Sequence, residues 1–269
     1  MGSLKIAHLT DLHVRRNYEN TMFETELKQR ILPVPYVIAG LKEAVKAGPD
    51  VIVMTGDLVH EGTAGDYCYL KQLVKKYAAG IPVLPVLGNH DYKAAFYEGF
   101  LEEDRQGPYY RTCMLSGYRF VTLDTSVEGS GDGVLRGEQV RWLLEELKTP
   151  APNGTILLGH HPFESQQAWF KTDVEDGLIE ALQETDVIAY LCGHAHYCES
   201  RTLGKVLQVT GESFDYGVET MGDEVIYTEV RAYNTCWLEN RKVIVHTHAV
   251  TPNDPVICRI PLNNQDRRN

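Results

Sequence analysis

The 269-residue chain contains no apolar run approaching the roughly 20 residues that span a bilayer, so no membrane partner is expected. Positive charge is also scarce: 26 Lys and Arg face 37 Asp and Glu, a formal net charge of −11. Neutralising many nucleic-acid phosphates takes clustered Lys and Arg, so long DNA or RNA is not an expected partner. The six cysteines (Cys68, Cys113, Cys192, Cys198, Cys236 and Cys258) form no C-x-x-C pair and no dense spacing, indicating neither a zinc knuckle nor a disulfide framework. Reduced thiols fit best. The N-terminus enters the apolar stretch Ile6-Ala7-His8-Leu9 without a charged region, a long apolar segment or a small-residue cleavage site, so a cytoplasmic protein is expected. No repeat, low-complexity segment or linker is visible.

What is present is an average globular composition, 43% hydrophobic and 23% charged, and one domain over residues 1–269 is expected. Short β-branched runs at Lys5–Thr10, Val51–Thr55, Val83–Leu87, Phe120–Leu123, Thr155–Leu158 and Val187–Leu191 read as buried strands. Between them, Tyr36–Ala47, Tyr67–Ala79, Gly137–Lys148 and Val174–Glu184 carry apolar residues at helical spacing. Alternating strands and helices define an α/β protein. From Lys205 the texture changes to alternating stretches, Val206–Thr210, Val225–Asn234 and Lys242–Val250, which suggests a mostly β C-terminal part over 205–262 of the same domain. The polar Asn263–Asn269 reads as a frayed tail.

The His, Asp and Asn residues fall directly after strands. Strand ends run into Asp11-Leu12-His13, Gly56-Asp57, Gly88-Asn89-His90-Asp91, Gly159-His160-His161 and Gly193-His194-Ala195-His196. In an open α/β sheet the carboxyl ends of strands form the ligand-binding crevice, so five clusters converge on one rim. Asp11 and His13, like His194 and His196, are two apart, and in extended chain such side chains point the same way. Each piece alone is more often a turn or a cap; five compatible placements together are not. Mixed carboxylate oxygen and imidazole nitrogen suit Zn²⁺, Mn²⁺ or iron, and part of the negative charge is then local to the site. His8, His60, His246 and His248 read as ordinary strand or loop histidines, Asp91 as the residue that orients its turn, and Glu102-Glu103-Asp104 as solvated surface.

In that order, D-x-H, G-D, G-N-H-D, G-H and G-H-x-H resemble the signature of the calcineurin-like metallophosphoesterases, over about positions 5 to 200. The resemblance implies a four-layered α/β/β/α sandwich with two packed mixed β-sheets and a binuclear centre of two transition-metal ions. It assigns Asp11, His13 and His196 to one metal, Asp57 to both, and Asn89, His160 and His194 to the second. Asn89 and His90 would contact the substrate, with His90 the catalytic residue; His160, directly after its strand and Gly159, is the implied ligand rather than its neighbour His161. Gly56-Asp57-Leu58-Val59, Gly88 to Asp91 leading to Ala95-Phe96, and Leu123-Asp124-Thr125 resemble the class III cyclic-nucleotide phosphodiesterase branch. The implied activity is hydrolysis of a small phosphodiester, such as a 3',5'-cyclic nucleotide, by a hydroxide bridging the two metals. Alternatives are a phosphomonoesterase or nuclease of the same superfamily, or a non-catalytic metal-binding scaffold. A small phosphate ester is the expected partner, and a homodimer is one open assembly. Pocket walls are expected from the loops around Tyr92–Phe100 and Gly211–Asp223.

Overall fold

The computed structural model describes residues 2–25, 32–221 and 224–250. The strands are β1 (Leu4–Leu9), β2 (Val51–Thr55), β3 (Val83–Val86), β4 (Arg111–Leu115), β5 (Tyr118–Thr122), β6 (Gly133–Leu135), β7 (Gly154–Leu158), β8 (Thr172–Val174), β9 (Val187–Cys192), β10 (Glu199–Leu203), β11 (Val206–Thr210), β12 (Gly217–Met221), β13 (Glu224–Thr228), β14 (Ala232–Glu239) and β15 (Lys242–Ala249). The helices are α1 (Met22–Thr25), α2 (Pro33–Lys46), α3 (Ala64–Tyr77), α4 (Lys93–Phe96), α5 (Glu138–Glu146) and α6 (Leu178–Gln183).

Two mixed sheets result. The first has the order β15-β14-β1-β2-β3, with β1, β2 and β3 parallel and β14 antiparallel to both β1 and β15. The second has the order β10-β11-β9-β7-β5-β4, with four parallel inner strands and antiparallel edges. A parallel strand buried on both faces needs cover on each. Leu4, Ile6, Val51 and Val53 therefore face the second sheet, meeting Phe120, Ile156, Leu158 and Leu191. Their neighbours Ala7, Leu9, Ile52 and Met54 point the other way, into Val37, Leu41 and Ala44 of α2 and Tyr67, Leu70 and Leu73 of α3. On the far side, Val121, Leu157 and Tyr190 pack against Val140 and Leu143 of α5 and Leu178 and Leu182 of α6. Helices, sheet, sheet, helices: the architecture is the α/β/β/α sandwich.

Several boundaries differ from the sequence reading for local reasons. The expected helix at Val174–Glu184 begins only at Leu178, because Gly177 is left-handed (φ 80°) and Thr172–Val174 pairs instead with β6. α3 starts at Ala64 rather than Tyr67, since the Asp66 carboxylate accepts the Thr63 N–H at 2.9 Å and closes a capping box. The single stretch expected at Val225–Asn234 is two strands, β13 and β14, which lie in different sheets. Residues 251–262 of the β part, the tail at Asn263–Asn269 and Cys258 lie outside the described residues. Among the described residues no helix is long and apolar enough to cross a membrane, and all five cysteines are free thiols.

Candidate metal centre

The carboxyl ends of β1, β2 and β3 in one sheet and of β7 and β9 in the other meet at one rim. Backbone bonds stitch the turns together there: Asp11 N–H to Gly56 O at 3.0 Å, His13 N–H to Asp57 O at 2.8 Å, and Gly193 N–H to His160 O at 2.8 Å. These turns are tightly wound. Asp11, His13, Asp57, His194 and His196 all hold positive φ, between 43° and 69°. Non-glycine residues in that region cost on the order of 1–3 kcal/mol each, and such strain concentrates at functional sites. At Gly56, left-handed with φ 97°, an added Cβ would run into the His160 ring, and at Gly88 into the Asp57 carboxylate. The glycines of the motif thus clear space for the side chains of the neighbouring strand ends.

All seven expected ligand residues come together. One ligand atom from each of Asp11, His13, Asp57 and His196 lies within 4.8 Å of the others, and the same holds within His160, His161 and His194. Asp57 sits between the groups: its Oδ2 is 3.5 Å from His13 Nε2 and 3.4 Å from His160 Nε2. Asp11 Oδ1 lies 3.2 Å from His196 Nε2, and Asn89 Oδ1 lies 3.1 Å from His160 Nε2. His160 and His196 each donate their other nitrogen, Nδ1, to a backbone carbonyl, of Thr55 at 2.8 Å and of Tyr216 at 2.9 Å. That second bond orients Nε2 into the site, as it does for imidazoles that bind metals.

Burial disfavours charge throughout. It drives His13 and His194 well below the ordinary imidazole range, and neighbouring imidazoles add to the effect. His160 and His196 go the other way: burial opposes their charge, but Asp57 beside the first and Asp11 beside the second lift both to about 9. Burial would raise Asp57, yet His160 and His90 hold it well below the carboxylate range. His160 and His196 thus favour their charged forms beside carboxylates, positive charge that bound cations would replace. His13 Nε2 and His161 Nε2 are buried without any hydrogen-bond partner. Mixed nitrogen and oxygen donors, two of them orphaned, fit a metal cation.

His90 stands at the mouth. Its Nδ1 donates to Glu61 Oε1 at 3.2 Å, and its ring stacks on His60 with centroids 4.7 Å apart. Asp91 orients the turn as expected, accepting the N–H groups of Leu58 (3.0 Å), Val59 (3.0 Å) and Gly88 (2.9 Å) and the Tyr67 hydroxyl (2.7 Å). The pocket above, of roughly 310 Å³, is walled by Trp169 and Phe170 on one side and Tyr216, Val218 and Tyr227 on the other. The Gly211–Asp223 segment thus supplies a wall. The Tyr92–Phe100 segment does not line the pocket; Phe96 and Tyr97 are buried beside α3 instead. His60, given an ordinary role above, belongs to the site, with its Nδ1 3.0 Å from His13 Nδ1. His60 lies three residues past Asp57, just beyond the Val14–Val59 bridge that brings the two chain segments together. Asp215, whose Oδ2 stands 4.0 Å from His13 Nε2, also faces the site, and its segment carries no metal motif that would have singled it out. His8, by contrast, is a core residue under the site, bonded to Thr55 Oγ1 at 2.8 Å.

Comparison with known proteins places the fold and then the family. A dimetal phosphatase from Danio rerio has a similar structure, with TM-score 0.61 and 13% identity, covering 93% of this chain and 96% of that one. Residues 4–198 match the family model for calcineurin-like phosphoesterases, and the chain belongs to that family. A cAMP/cGMP dual specificity phosphodiesterase of Mycobacterium tuberculosis is 43% identical over 161 residues, which is 57% of this chain and 51% of that protein. The match therefore spans about half the length of that relative. A "Probable cyclic nucleotide phosphodiesterase" of Rhodococcus erythropolis is 34% identical over 211 residues, 75% of this chain and 67% of the other.

Proposed function

We propose that this protein is a metal-dependent phosphodiesterase that hydrolyses a small phosphodiester, with a 3',5'-cyclic nucleotide as the favoured substrate. The observation that carries the reading is the Asp57 carboxylate lying 3.5 Å from His13 Nε2 and 3.4 Å from His160 Nε2, between two groups of inward-facing donors. Asp11, His13, Asp57 and His196 would hold one cation, and Asp57, Asn89, His160 and His194 the second, with manganese, iron or zinc compatible with the donors. When bound, such a pair supplies a hydroxide nucleophile near neutral pH and offsets charge on the phosphoryl oxygens.

The chain's own groups do the rest. The Asn89 side-chain amide can donate to a phosphoryl oxygen. His90, oriented by Glu61, faces the pocket and delivers a proton to the departing alkoxide. Trp169, Phe170, Tyr216 and Tyr227 offer ring faces around the rim, and an aromatic face against a nucleobase contributes about 1–3 kcal/mol. The cyclic-nucleotide names of two relatives support the same substrate class. Five free thiols among the described residues support a reducing, cytoplasmic setting.

The test is hydrolysis of bis(p-nitrophenyl) phosphate and p-nitrophenyl phosphate by metal-stripped protein, with Mn²⁺, Fe²⁺ or Zn²⁺ restored, followed by cyclic AMP and cyclic GMP. Diester cleavage that returns with metal and disappears in Asp57→Ala is expected. A preference for the monoester would redirect the assignment to a phosphatase, and inactivity with every metal would leave a binding scaffold.

A further inference from the structure

The segment after β11 lies beyond the 4–198 span of the family match, yet it grips two residues of the centre, Asp11 and His196. Ser213 forms a parallel bridge with Thr10, and its hydroxyl donates to Asp11 O at 3.2 Å. Phe214 N–H donates to the same carbonyl at 3.1 Å. Tyr216 O accepts from His196 Nδ1 at 2.9 Å. The Phe214 ring is fully buried in the helix-side core and covers Gly40 of α2 so closely that no Cβ would fit there.

Between these anchors Asp215 has no freedom to reach water. Its side chain is 1% exposed, and its Oδ2 stands 4.0 Å from His13 Nε2. Neither carboxylate oxygen has a hydrogen-bond partner, and neither does the nitrogen it faces. Arg231, the nearby cation, lies over the Tyr36 ring at 4.3 Å and does not hydrogen-bond the carboxylate. An unpaired buried carboxylate costs several kcal/mol, so a site that retains one has a use for it. Two donors each about 2.0–2.2 Å from a transition ion can stand up to about 4.2 Å apart, a span that admits an ion between Asp215 and His13.

We propose that Asp215 is a further carboxylate ligand of the cation held by Asp11, His13, Asp57 and His196. The inference rests on the reading that this cluster binds a metal. It gives this cation three carboxylates, which favours Mn²⁺ or iron over zinc, since oxygen donors suit the harder ions.

The experiment is titration of metal-stripped full-length protein with Mn²⁺, following the free ion by electron paramagnetic resonance, together with thermal melts of the stripped proteins. Wild type should bind two ions. Asp215→Ala and Asp215→Asn should weaken one site by at least about 10–100-fold, the loss typical of removing even an outer partner of a ligand. The stripped variants should melt at or above the wild-type temperature, because an uncompensated buried carboxylate is gone. Wild-type affinity at both sites in either variant overturns the proposal. So does a stripped Asp215→Asn that melts below wild type with its Mn²⁺ affinities intact, which marks a purely structural carboxylate. Failure of the wild type itself to bind Mn²⁺, Fe²⁺ or Zn²⁺ would instead sink the metal reading on which the proposal stands.

Discussion

The backbone N–H of His90 donates to Asp57 Oδ1 at 2.9 Å, so the main chain of one residue braces the carboxylate of the other. Asp57 Oδ2 is thereby turned toward His13 and His160. The His90 side chain points elsewhere, to Glu61 and the pocket. The amide and the imidazole of one residue thus face different partners and can be tested separately.

His90→Ala removes the imidazole and keeps the amide. Metal content, measured by elemental analysis after desalting, should stay at the wild-type level. Turnover should fall about 10²–10⁴-fold, the usual contribution of a positioned acid or base. The fall should be larger for cyclic AMP than for bis(p-nitrophenyl) phosphate, because p-nitrophenolate departs without needing a proton. Equal losses on both substrates would argue against proton delivery.

Gly56→Ala tests whether the motif glycines are spatial requirements. The new methyl meets the His160 ring, and φ 97° is left-handed backbone that alanine resists. Strain alone should cost on the order of 1–3 kcal/mol in urea unfolding of stripped protein. Displacement of His160 should also lower metal affinity. A variant with wild-type stability and metal content would mean that the turn relaxes freely.

Much of this site could be read from the chain because its candidate ligands follow strands whose burial is written in their β-branched residues. Val51–Thr55 is buried along its whole length, and the residue two past it is Asp57. Once the strands are placed, the candidate ligands are placed. Asp215 could not be read this way: it is positioned by Phe214 wedged over Gly40, a contact between residues 174 positions apart with no local pattern. The pocket walls were half legible for a related reason. Trp169 and Phe170 sit on a short 3-10 turn with no apolar period to announce it. The positive φ of Asp11, His13, Asp57, His194 and His196 was not legible either, since Asp and His enter left-handed backbone more often than most residues but only as a minority conformation.

Metal removal should destabilise the fold measurably. A ligand that binds only the native state at 100 times its Kd adds about 2.7 kcal/mol per site. At about 2–4 °C per kcal/mol for a chain somewhat shorter than this one, two occupied sites should raise the melting temperature by roughly 10–20 °C over stripped protein. Calorimetry with and without Mn²⁺ checks this. Coincident melts at saturating Mn²⁺ would show that the clustered carboxylates and imidazoles bind no cation with useful affinity.

His8 predicts a pH dependence of the metal-stripped protein, set mainly by its burial. It is wholly buried between the sheets, and burial lowers it from 6.5 to about 4. The unfolded chain takes up a proton as pH falls through 6.5, while the folded protein resists until about 4. Stability from this residue is therefore complete above pH 6.5 and is lost progressively down to pH 4. A gap of about 2.5 pH units at ~1.36 kcal/mol each is about 3 kcal/mol. His8→Gln keeps a polar group near Thr55 but cannot take a proton. Urea unfolding of stripped wild type and variant across pH 4 to 7 should show the variant's curve flatter by about that amount. Parallel curves would mean that His8 gains a proton without cost, and with it that the inter-sheet core near Thr55 admits water.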